Sequence, residues 1–88
     1  MFLFDGGDDQ MARRVSVKVL LEVDTAGNQR PRVVTWEDGR EYPVDRLLDV
    51  RPAPSLKVGG SGMRYTCRIQ GHAVYLFEDR GQWFMEGR

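Results

Sequence analysis

No apolar stretch of this chain holds a helical period for more than a single turn, whereas period two recurs between one turn signal and the next. That pattern admits short half-buried strands and excludes long amphipathic helices. VSVKVLLEV places Val15, Val17, Val19, Leu21 and Val23 on one face, with Ser16, Lys18 and Glu22 opposite, and its β-branched content suits a strand. Thr25-Ala26-Gly27-Asn28 reads as a turn, and a second strand is expected from Arg32 to Glu37, entered through Pro31. Asp38-Gly39 is a hairpin signal that pairs Glu37 with Arg40 and Thr35 with Tyr42. Val44, Leu47 and Leu48 have helical spacing over one turn only, so a short helical or 3₁₀ turn is expected there, then a brief strand through Leu48 and Val50.

The glycines of LKVGGSGMRYTCRIQG raise the question of a phosphate loop. Neither G-x-x-x-x-G-K-[ST] nor G-x-G-x-x-G is met, since Tyr65 stands where the third glycine would fall. The residues after Gly62 have strand period, not helical period: Met63, Tyr65, Cys67 and Ile69 alternate with Arg64, Thr66, Arg68 and Gln70. Without a helix N-terminus there is no convergent set of amide donors. Gly59, Gly60 and Gly62 are therefore expected to supply positive φ angles or a bulge ahead of a strand.

With turns at Gly71-His72 and Arg80-Gly81, the last segment becomes a three-stranded meander in which Arg68 faces Tyr75, Arg64 faces Asp79 and Phe77 faces Phe84. One face then carries Met63, Cys67, Ile69, Val74, Leu76, Trp83 and Met85 as core, with Tyr65 toward its end. The opposite face carries Arg64, Thr66, Arg68, Tyr75, Phe77 and Phe84. Short turns without crossover helices imply antiparallel pairing, and the expected fold is all-β: a small SH3-like antiparallel barrel of five to seven strands. An 88-residue chain with 41% apolar residues is enough for one such domain, placed at residues 13–88. Residues 1–12 are read as a disordered or non-native extension. Asp5-Gly6-Gly7-Asp8 is what a translated ribosome-binding sequence would encode, with Met11 as the natural start.

Residues 14 to 86, through their WEDGR, LDVR, SLK-GG and RYTCRI segments, resemble a family of small β-barrel proteins from Gram-positive bacteria and their mobile elements. The resemblance implies a small barrel and a nucleic-acid-related setting, and it carries over no catalytic residue.

The chemistry legible in the residues is that of binding. His72 is the only histidine and Cys67 the only cysteine, at a spacing unsuited to zinc, so neither a metal nor another cofactor is expected. A single cysteine fits a reducing compartment, and no apolar run reaches membrane-spanning length, so a cytoplasmic protein without a membrane partner is expected. The acidic pairs Glu37-Asp38 and Glu78-Asp79 flank turns, where acids are ordinary, and no enzyme site is expected. Net charge is zero, but residues 13–70 carry eleven basic against seven acidic side chains, and arginine outnumbers lysine eleven to two. Arginines interleaved with aromatics on one sheet face are how sequence-tolerant single-strand binders hold phosphates and bases. The expected function is thus a non-catalytic binding module. Its partner, a protein or a single-stranded nucleic acid, docks on Arg64, Thr66, Arg68, Tyr75, Phe77 and Phe84. The alternative is a structural accessory protein whose aromatic face is buried between copies of itself.

Overall fold

The computed structural model describes residues 13–52 and 62–87. They form eight strands: β1 Arg13–Ser16, β2 Lys18–Val23, β3 Gln29–Thr35, β4 Glu41–Pro43, β5 Arg46–Pro52, β6 Met63–Ile69, β7 His72–Asp79 and β8 Gln82–Gly87. All pairings are antiparallel, in a five-stranded sheet ordered β1-β8-β7-β6-β5 and a three-stranded sheet ordered β2-β3-β4. The expectations for residues 1–12, and for Gly59 and Gly60, fall outside the described residues.

Two bends carry the chain from one sheet to the other. Only Val17 separates β1 from β2, and its amide donates to the carbonyl of Trp83 at 3.1 Å. Only Val44 and Asp45 separate β4 from β5. The Val44 amide donates to Arg32 in one sheet and the Asp45 amide to Arg68 in the other, each at 2.8 Å. The helical or 3₁₀ turn expected here is therefore absent, because those amides are committed to strand carbonyls on two sides. The misleading spacing has a cause: Leu48 is an extra residue, with Leu47 opposite Cys67 and Asp49 opposite Thr66. A bulge breaks period two and mimics a helical interval. The strand count also exceeds five to seven, since the strand expected from Val15 divides at Val17 into β1 and β2.

The core lies between the sheets. Val15, Val34, Trp36, Tyr42, Tyr65, Cys67, Ile69, Val74, Leu76 and Met85 are buried together, and Val17, Val19, Val44, Leu47, Met63 and Trp83 pack against them. The expected inner face of the meander is the observed one. At the β3–β4 hairpin, the Trp36 amide donates to Arg40 O and the Gly39 amide donates back to Trp36 O, with Gly39 at φ +88°. This is a three-residue loop with a left-handed glycine, not a two-residue turn. Val34 therefore faces Tyr42 and Thr35 faces Glu41. That shift brings Tyr42 onto the core side, where it is 7% exposed.

The β6–β7 turn falls on Gln70 and Gly71, at φ +53° and +80°, and not on Gly71 and His72. Arg68 accordingly faces Ala73, Thr66 faces Tyr75 and Arg64 faces Phe77. Because the register moves by two residues, every side chain keeps its expected face. Gly62, unlike the glycines of the turns, has no left-handed φ. Its constraint is space, since a Cβ there would lie 3.0 Å from the carbonyl oxygen of Glu78.

Candidate binding face

On the outer surface of the five-stranded sheet, five side chains from four strands form one continuous stack. The Arg64 guanidinium lies 4.5 Å over the Tyr75 ring. Tyr75 meets Phe77 edge-on at 6.4 Å, and Phe77 stacks on Phe84 at 5.5 Å with 15° between planes. The Arg14 guanidinium closes the far end, 4.2 Å over Phe84, and one of its Nη groups reaches Gln82 Oε1 at 3.4 Å. Strand alternation puts these residues on one side, and antiparallel pairing sets Ser16, Phe84, Phe77, Arg64 and Arg51 in one cross-strand row. Aromatic and cation–π contacts of this kind contribute about 0.5–1.5 kcal/mol each beyond area burial.

The stack corrects part of the expected site. Strand alternation predicts Phe77 and Phe84 to be at least partly exposed for a partner, yet they are only 5% and 3% exposed. They cover each other, Arg14 caps one end and Tyr75 the other, so this pair is a small second core. Tyr75 remains 51% exposed. Arg68 is exposed, while Thr66 and Arg64 are half-buried. The contacts differ from the expected cross-strand pairs as well: the arginine on Tyr75 is Arg64, not Arg68, because of the register at Gln70-Gly71. The Arg64 Nε is buried without a hydrogen-bond partner. Arg14 is the residue that the sequence pattern does not point to. Its placement depends on β1 pairing with β8, a contact between chain ends that no local pattern signals.

The remaining candidate chemistry is dispersed. Among the described residues no group of three or more His, Cys, Asp or Glu is placed to hold a metal. His72 is exposed at the start of β7. Asp38 contacts Arg40 at 3.6 Å, Asp49 holds Arg51 Nε at 2.7 Å, and Glu78 accepts from the Gly81 amide at 2.8 Å. These acids are occupied with turns and neighbours. Asp24 accepts from the amides of Asn28 and Ala26, which holds its carboxyl below the usual value. No described helix is long and apolar enough to cross a membrane.

Cys67 is fully buried, and desolvation pushes its thiol up to about 12 from an ordinary 9. It is thus a protonated, inert thiol at neutral pH. An acid group raised on folding ionises first in the unfolded chain. Its stabilising contribution is complete below pH 9 and is lost progressively between 9 and 12. Wild type should therefore lose stability more steeply over that range than Cys67→Ala, and native Cys67 should resist thiol reagents at pH ~8. Equal alkaline slopes in urea unfolding, or rapid native labelling, would contradict the assignment.

Comparison with family models, with curated proteins and with solved structures returns no match to this chain. The functional reading therefore rests on the geometry alone.

Proposed function

We propose that this protein is a non-catalytic binding module, its two sheets wrapped as a small SH3-like barrel, that holds single-stranded nucleic acid on the outer face of β6 and β7. The observation that carries the proposal is Tyr75, the one exposed aromatic ring among the described residues, with a guanidinium on it and Thr66 opposite. A ring fixed in this way is a stacking platform for a base. Arg68 and the outer edge of Arg64 supply cations beside it for the adjoining phosphates. Phe77 and Phe84 act beneath the surface, fixing the tilt of Tyr75 and not touching the partner.

The composition of the exposed surface separates this reading from a protein interface. Desolvated protein hot spots are built on several large apolar anchors, whereas the exposed residues near Tyr75 include Arg51, Arg68 and Ala73. The homo-oligomeric alternative loses its main support, because Phe77 and Phe84 are already covered within the chain. The test is an anisotropy titration with a labelled oligothymidylate across about 50–200 mM salt. Affinity should fall log-linearly with salt, with a slope of about −0.7 for each phosphate contacted. Absence of binding throughout that range would remove the proposal, and salt-independent binding would point to a protein-like, apolar contact.

A further inference from the structure

A cleft of about 370 Å³ opens where β3 passes the bend between β4 and β5, and its lining brings Arg30, Arg32 and Arg46 together beside Asp45 and a few apolar residues. We propose that this cleft is a phosphate-binding site, filled by phosphodiester groups of the same strand whose bases stack on Tyr75; the inference rests on the nucleic-acid reading above.

Three features single the cleft out. First, its walls are shaped by two bulges. Leu20 faces Val33 while Leu21 faces Pro31, which leaves Arg32 as the extra residue of β3, and Leu48 is the extra residue of β5. A bulge redirects the side chains around it, and the lining residues Arg32 and Leu47 lie at these two. Second, Arg46 lies directly opposite Arg68 across β5 and β6, and both are exposed. Like charges in that relation repel and destabilise a sheet unless something anionic sits between them. Third, the positive charge is only partly compensated. Among the described residues no salt bridge engages Arg32, Arg46 or Arg68, in contrast to Arg40 and Arg51. The carboxylates that do approach are few. Asp45 shares the lining, Glu22 faces Arg30 from β2, and Arg30 also acts on Asp24. Arg32 and Arg46 therefore carry the site, and Arg68 flanks it from β6.

Guanidinium groups suit this ligand because each offers a planar fork of donors to phosphate oxygens and stays charged at every working pH. The Arg68–Arg46 pair also joins the cleft to the Tyr75 platform. From β7 the surface runs through Thr66 and Arg68 on β6 to Arg46 on β5, about 5 Å per strand. A bound strand can stack at one end of this path and deliver its backbone to the other.

The experiment compares wild type with Arg32→Gln/Arg46→Gln and with Tyr75→Ala, using labelled oligothymidylate over the same salt series. Removing two phosphate contacts should lower the salt slope by about 1.4 and weaken binding by roughly tenfold or more at low salt. Tyr75→Ala should weaken binding with the slope unchanged. Tripolyphosphate, which carries charge without bases, should displace the oligonucleotide from wild type at concentrations that leave the double variant's complex intact. The unfolding midpoint of the double variant should not fall, because the change relieves the repulsion at Arg68. The single change Arg32→Gln, at an exposed position, gives the same reading with a slope loss of about 0.7 should the double variant fold poorly. A double variant that binds with the wild-type slope overturns the cleft assignment and leaves the Tyr75 reading standing. A wild type that binds no oligonucleotide overturns both.

Discussion

Replacing Trp36 with alanine is expected to destabilise the protein by about 3–5 kcal/mol, the range for truncating a buried aromatic side chain. The ring is 7% exposed and packs with Val34 and Tyr42 in the core between the sheets. Its backbone also closes the β3–β4 hairpin through Arg40 and Gly39. A domain of this length is stable by roughly 5–10 kcal/mol, so the change removes about a third of that or more. Urea unfolding should show a midpoint lowered by a comparable fraction, with an unchanged m-value if the denatured state is unaffected. Trp83 is the informative contrast. It is half-buried and tilted against Tyr65 at 4.9 Å, so Trp83→Ala should cost less than Trp36→Ala. A loss below about 1 kcal/mol at Trp36 would mean that the three-stranded sheet does not close over the core as described.

Phe84→Ala is expected to cost about 3–5 kcal/mol as well, and here the structure and the alternation pattern disagree most sharply. Alternation puts Phe84 on the outward face, where a substitution changes stability by about half a kcal/mol or less. The structure has it 3% exposed, stacked on Phe77 and capped by Arg14. The two expectations differ by several kcal/mol, far beyond the error of a denaturation curve. Tyr75→Ala should cost about 1 kcal/mol or less, since that ring is half exposed. A double-mutant cycle between Arg14 and Phe84 should return a coupling of about 0.5–2 kcal/mol, the worth of a cation held on a ring. If Phe84→Ala is as mild as Tyr75→Ala, the pair with Phe77 is open surface, and the binding face extends over it.

Phe77 and Phe84 mark the limit of what the sequence makes legible. Period two identifies the strands of β6, β7 and β8, and with them the inner face from Met63 to Met85, because alternation is a direct consequence of strand geometry. It cannot tell a second buried layer from a solvated one, as both lie on the same side of the pleat. Turn chemistry is legible where its preferred residues occur. Arg80-Gly81 forms the turn that its residues signal, with Phe77 opposite Phe84. The β6–β7 turn lies one residue before the expected position because Gln70 takes a left-handed φ of +53°, which its residue type does not advertise. The bulge at Arg32 leaves no local signal either, and the one at Leu48 leaves a misleading one, the helical interval at Leu47-Leu48. The cleft is illegible because it is long-range: Arg32 and Arg46 meet only where the bend at Val44-Asp45 joins the two sheets, and Arg68 lies beside Arg46 only through the β5–β6 pairing.

The most direct measurement of the central claim is photocross-linking of a single-stranded oligonucleotide carrying a thio-substituted thymidine, with the modified peptide then mapped. Nucleic acid held as described should attach on β6–β7, at Tyr75 or its neighbours Thr66 and Arg68, with loss of the adduct in excess unlabelled strand. Attachment confined to the exposed side of β2 around Leu20 and Val23, or no competable adduct at all, would contradict it.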